Sequence, residues 1–175
     1  WSCRRCRSRR WPPGPMSTVH GISADANQFL VTVRNGGVVG MGGSCIALLG
    51  ASSVVEDVRV LNCGQHGIQI GSAGRVRDSF AGGAVSNGVS FGGGSAIAGC
   101  ETRGNGNSGI NGIVTDVHVG SIFENRVMDN GSYGIASQSP VLVGRNALSG
   151  NGLPNFNLVS GSRSLGDNSC NGVGC

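Results

Sequence analysis

Asp57, Asp78 and Glu124 return at one place in a repeating unit, followed in the same column by Arg145, and Arg59, Phe80, Glu101 and Arg126 return two residues later. If each repeat is one turn of a coil, residues at one offset stack at about 4.8 Å along the axis. Asp57 and Asp78 would then stand side by side on adjacent strands. Like charges so opposed are destabilising unless they share a proton or a cation. Two chemistries suit such a pair. Carboxylates about 5 Å apart can act as acid and nucleophile on a glycosidic bond, which makes Asp57, Asp78, Glu124 and Arg145 the catalytic candidates. Alternatively, Asp57 and Asp78 hold calcium beside Arg, a set that suits a calcium-assisted lyase in which a sugar-ring proton is abstracted. Arg59, Phe80, Glu101 and Arg126 would supply the binding face. No cofactor other than this calcium is called for.

The competing reading is a solvated face of paired charges. Arg34, Glu56 and Arg77 alternate in sign down a neighbouring column, and Glu101 and Arg126 are neighbours across one step. His66 shares its column with Ser44, Asn87, Ser108 and Tyr133 and reads as an exposed corner residue; His20 and His118 have no ligand-like spacing to it. Gly104-Asn-Gly-Asn-Ser-Gly109 matches a dinucleotide fingerprint in letters, but no helix pattern follows it. Cys63 and Cys100 fall in inward columns and read as small core residues, with Cys45 less easily placed. Cys170 and Cys175 bracket a short loop and could close a terminal staple in an oxidising compartment.

The elements that must position these residues are legible from the repeat itself. An aliphatic or aromatic residue returns at Ile46, Ile68, Val89, Ile110, Ile135 and Phe156, in steps of 22, 21, 21, 25 and 21 residues. A period near twenty signals a solenoid whose repeats bury their core only against each other. Thirteen residues before this column stand Val33, Val55, Val76, Ile97, Ile122 and Val143; eight before it stand Val38, Val60, Ala81, Thr102, Val127 and Leu148. These columns point inward. Three short strands per turn, rich in β-branched residues, predict a parallel β-helix of about six coils.

Four residues before the first column come Gly42, Gly64, Gly106, Gly131 and Gly152, with Val85 as the exception; a tight corner of positive φ is expected there. Asn105, Asn130 and Asn151 precede three of these glycines and predict an internal asparagine ladder. The step of 25 marks an insertion around residues 111–120, which carries Asp116 and His118.

The 175 residues fit one domain, with 33 Gly and only 13% charged residues. The net charge of +4 comes from Arg4, Arg5, Arg7, Arg9 and Arg10; beyond them eight Arg face nine acidic residues, without Lys. A nucleic-acid binder would carry a basic stripe on its body, so no nucleic acid is expected as partner. No apolar run is long enough for a membrane span, so no membrane is expected either. Residues 1–15 share nothing with the repeats and read as a basic leader, 16–160 as the β-helix and 161–175 as a C-terminal cap or tail.

Segments such as Val31-Thr-Val-Arg-Asn-Gly-Gly-Val-Val-Gly, Asn62-Cys-Gly-Gln-His-Gly-Ile and Asp129-Asn-Gly-Ser-Tyr-Gly-Ile resemble the repeats of right-handed parallel β-helix proteins of the pectate-lyase-like superfamily. The likeness spans roughly residues 20–160, and Asn168-Ser-Cys-Asn-Gly-Val-Gly-Cys175 resembles the close of bacterial members. The resemblance implies the fold, a secreted or cell-surface setting and contact with polysaccharide. It leaves open a structural or adhesive module and a degenerate lyase or hydrolase, since the motifs of polygalacturonase-like and epimerase-like relatives do not occur. Such proteins usually begin with further coils and a cap, so the chain is expected to be N-terminally truncated. An uncovered first coil, with open strand edges near residues 36–43, would invite a homodimer.

Overall fold

In the computed structural model, which describes residues 18–113, 118–171 and 173–174, the chain winds into a parallel β-solenoid of about seven turns. The first turns hold β1 (Ile22–Ala24), β2 (Thr32–Val39), β3 (Ile46–Leu48), β4 (Val54–Leu61), β5 (Ile68–Ile70), β6 (Arg75–Arg77), β7 (Phe80–Gly82) and β8 (Val89–Phe91). The next hold β9 (Ala96–Ala98), β10 (Glu101–Arg103), β11 (Ile110–Gly112), β12 (Gly120–Phe123), β13 (Arg126–Met128) and β14 (Ile135–Ser137). The last are β15 (Val141–Gly144), β16 (Ala147–Ser149), β17 (Phe156–Leu158), β18 (Arg163–Ser164), β19 (Ser169–Cys170) and β20 (Val173–Gly174).

One sheet runs β1-β3-β5-β8-β11-β14-β17. The other has two arms that meet on the long strand β4: β6, β9, β12, β15 and β18 stack on its first half, and β7, β10, β13, β16 and β19 on its second. The coil is therefore three-sided, with three short strands in a typical turn. The three aliphatic columns of the sequence are the observed register. Ile22, Ile46, Ile68, Val89, Ile110, Ile135 and Phe156 pair in succession. So do Val33, Val55, Val76, Ile97, Ile122 and Val143, and Val38, Val60, Ala81, Thr102, Val127 and Leu148. All three columns point inward, and full burial of each Val, Ile, Leu or Phe in them is worth about 1.5–3 kcal/mol.

The turn chemistry corrects the glycine column. Gly64, Gly106, Gly131 and Gly152 are absent from the positive-φ residues; they are small because the coil below lies against them. A Cβ on Gly131 would sit 2.5 Å from the Gly106 carbonyl oxygen, and one on Gly152 2.5 Å from that of Gly131. Positive φ occurs two residues earlier instead, at Gly40, Asn62, Gly83, Gly104, Asp129 and Gly150.

Directly after that left-handed residue the chain turns inward, and the ladder stands there. Asn105 Nδ2 donates to Asn130 Oδ1 at 2.9 Å, and Asn130 Nδ2 to Asn151 Oδ1 at 3.0 Å. A second ladder, not anticipated from the sequence, fills the bend between the two arms. Asn125 Nδ2 donates to Asn146 Oδ1 at 3.0 Å, and Asn146 Nδ2 to Asn168 Oδ1 at 2.9 Å.

The cysteines need a correction too. Cys63 is no free core residue: it forms a buried disulfide with Cys45, tying the first ladder's column to the start of β3. Cys100 is a buried free thiol, pushed up to about 12 by desolvation and so held inert. Cys170 is disulfide-bonded, while Cys175 lies outside the described residues, as do residues 1–15 and Asp116.

Candidate functional site

The carboxylate column is a backbone corner. Asn35, Asp57, Asp78, Gly99, Glu124 and Arg145 all lie in the left-handed region, with φ of 55°, 49°, 51°, 64°, 60° and 53°. There the larger sheet bends from one arm to the other. Asn, Asp and Gly tolerate this conformation best, so the fold alone supplies a reason for Asp57 and Asp78. They stand side by side on adjacent coils as expected, but they project from the vertex between two faces and not from one face. The next residue in each coil, Val58, Ser79, Cys100, Asn125 and Asn146, is buried under the bend. Asp78 Oδ1 leans over the following coil, 2.5 Å from where a Cβ on Gly99 would stand, on the side away from Asp57.

The second column stands on the adjoining arm as expected, with Arg59, Phe80, Glu101 and Arg126 paired in register. The Arg59 guanidinium carbon lies 4.1 Å from the centre of the Phe80 ring, a cation–π stack. A Cβ on Gly82 would meet that ring at 2.7 Å, so the ring lies flat along its strand. Between the corner row and this column runs an open groove of about 760 Å³, lined by Asn35, Asp57, Asp78, Arg59, Phe80 and Glu101, with the buried Ser79 at its floor.

Ion pairing sorts the carboxylates. Glu56 takes Arg34 at 3.1 Å and Arg77 at 2.6 Å, as their alternation predicted. Asp129 takes Arg103 at 3.0 Å and Glu124 takes Arg145 at 2.8 Å. Among the described residues Asp57, Asp78 and Glu101, which all line the groove, form no such pair. Glu101 and Arg126 are neighbours in register without an ion pair, and Arg126 Nε points to Met128 Sδ at 3.0 Å.

The four catalytic candidates do not converge. Gly99 separates Asp78 from Glu124 along the row, a gap of two coils or about 10 Å, and neither Glu124 nor Arg145 lines the groove. Calcium takes six to eight oxygen ligands, and Asp57 and Asp78 alone fall short of that. Among the described residues no three His, Cys, Asp or Glu side chains gather to hold a metal.

No family model matches this chain, and no curated protein or solved structure does. Fold and geometry therefore carry the functional argument.

His66 is half-buried, not exposed, and its Nδ1 is buried without a hydrogen-bond partner. Desolvation holds the imidazole below its ordinary value of 6.5. It stands on the corner leading into β5, away from the groove lining. The sequence signal for the corner lay in spacing. Val33 and Val38 both point inward although they are five residues apart, which a strand of period two cannot do without an intervening break.

Proposed function

We propose that this chain is an extracellular β-solenoid that binds polysaccharide in the groove between its corner row and the Arg59–Phe80–Glu101 column, without catalysing cleavage there. The observation that carries the reading is the sorting of charge beside the groove: Glu56, Glu124 and Asp129 around it are each paired with Arg, whereas Asp57, Asp78 and Glu101, which line it, form no ion pair and can accept hydrogen bonds from a ligand. Three carboxylates against one stacked guanidinium favour a neutral or amino-bearing glycan over an acidic one. The buried disulfide supports an oxidising, secreted or cell-surface setting, and the repeat pattern supports kinship with the pectate-lyase-like superfamily.

A second reading is a purely structural or adhesive module, favoured by the corner geometry that already accounts for Asp57 and Asp78. Asp57→Asn and Asp78→Asn separate the two readings, because Asn suits the same left-handed backbone and removes only the charge. We expect the purified chain to bind a neutral or amino polysaccharide, and the double variant to bind it at least tenfold more weakly with unchanged thermal stability. No binding across a panel of neutral, amino and acidic glycans, with and without calcium, overturns the reading in favour of the structural module.

A further inference from the structure

The two ends of the solenoid are finished differently. At the C-terminal end β18 and β19 shrink to two residues and β20 turns back antiparallel on β19. Both ladders close there on side chains, Asn151 donating to Asn155 and Asn168 to Ser164. Among the described residues the N-terminal end is blunted in none of these ways. β2 runs for eight residues and, among the described residues, pairs only with β4; β1 pairs only with β3. The core columns surface here. Ile22 is 37% exposed and Val33 and Val38 are half-buried, whereas Ile46, Val55 and Val60, one coil further in, are 0% exposed. A long unpaired edge ending in bare aliphatic columns is a template for another strand.

We propose that a second copy of this chain closes that edge, in a head-to-head dimer with two-fold symmetry. Such a contact sets each edge strand antiparallel against its own copy. β2 is self-complementary about a centre between Asn35 and Gly36. In that register Val33 meets Val38 of the second copy, Arg34 meets Gly37 and Thr32 meets Val39, so core meets core and no like charges oppose. β1 behaves alike about Ser23, where Ile22 meets Ala24, both members of inward columns. One axis serves both strands, entering at the vertex between the two arms and leaving through the middle of the third face.

That vertex is the end of the groove, since Asn35 and Gly36 line it. The dimer joins two grooves end to end, with Asp78 and Asp57 of one copy running through Asn35 to their counterparts in the other. A doubled groove suits a polymer better than a single sugar. This consequence rests on the polysaccharide reading; the dimer does not.

The test uses the full chain. Ser23 sits on the proposed axis, where opposed Cα atoms in an antiparallel pair are about 4.5–5.5 Å apart, within the range of about 4.4–6.8 Å that a disulfide spans. Ser23→Cys should oxidise to a covalent dimer on a non-reducing gel, and Asn157→Cys, in the same column at the other end, should not. Sedimentation of the unaltered chain at tens of micromolar should give the dimer mass, and Val38→Lys the monomer mass with unchanged β-sheet circular dichroism. A monomer whose Ser23→Cys form cross-links no better than Asn157→Cys overturns the proposal. So does a monomer whose β2 amides resist hydrogen exchange, which would assign the cover to residues 1–17. If glycan binding fails while the Ser23→Cys cross-link forms, only the groove reading falls.

Discussion

Removing the Asn146 side chain should cost about 3–5 kcal/mol, far more than its size suggests. Its Oδ1 accepts from the backbone N–H and the Nδ2 of Asn125, both at 3.0 Å, and its Nδ2 donates to Ile122 O and Asn168 Oδ1, both at 2.9 Å. Asn168 Oδ1 would keep the Asn146 backbone N–H at 3.0 Å, so its loss is partial. Both Asn125 donors would be stranded beneath the bend, and Ile122 O would lose a donor. A buried group left without a partner costs about 1–3 kcal/mol. Asn146→Leu fills the space and isolates the polar part of that penalty. Solenoids unfold coil by coil, so the assay pairs a urea melt with hydrogen exchange at the Asn125 amide. Exposed Asn157→Ala is the control, with an expected change within about 0.5 kcal/mol. A loss below about 1.5 kcal/mol for Asn146→Ala would refute the claim that the ladder's amides cannot find other partners.

His66 supplies a pH test with a definite sign. Its folded value lies below the ordinary 6.5, so the fold favours the neutral ring. The associated stability is fully present above 6.5 and is lost as pH falls through the lowered folded value. Melting temperatures across this range should decline less steeply in His66→Asn, which copies Asn87 of the same column; parallel profiles would show that His66 is not the group responsible. The Cys45–Cys63 disulfide closes a loop of separation 18, for which chain entropy gives about 3 kcal/mol. Cys45→Ala/Cys63→Ala should lower the urea midpoint accordingly and abolish its sensitivity to reductant, and an oxidised wild type no more stable than this variant would contradict the assignment.

The inward columns were legible because each occupies a constant offset and a register slip would turn every core residue outward. Even the 25-residue step left them intact, since an insertion at one corner changes the path between columns and not the columns. The first ladder was legible because Asn105, Asn130 and Asn151 each stand directly before a glycine of one recurring column, although Cys63 and Ala84 precede them in their own. The second has no such marker beside it: Arg126, Ala147 and Ser169 follow Asn125, Asn146 and Asn168, and Val58, Ser79 and Cys100 occupy its column before Asn125 begins the run. Cys45 and Cys63 belong to different columns, and only the closed coil brings their Cα atoms to 5.4 Å. Asp57 and Asp78 stack side by side but do not face out from one flat strand, because alternation does not carry across a left-handed residue. A column mixing Asn, Asp and Gly between two inward columns an odd number of residues apart is the mark of a left-handed bend.

That bend reverses which predicted residues need a functional explanation. Asp57 and Asp78 line the groove, yet the backbone accounts for their type. Glu124 and Arg145 hold the same conformation, where a longer side chain has no such advantage and the left-handed region costs about 1–2 kcal/mol. Their ion pair, with side chains 58% and 60% exposed, returns at most about 1 kcal/mol. The fold therefore explains the pair inside the groove and leaves unexplained the pair outside it. Substitution by Asn resolves this asymmetry, because at Asp57 and Asp78 it preserves the corner and removes the charge, while at Glu124 and Arg145 it should relieve the corner and raise stability. A stabilised Glu124→Asn/Arg145→Asn chain with undiminished glycan binding would place those two charges outside the site. A loss of binding there would extend the site past Gly99 along the whole corner row.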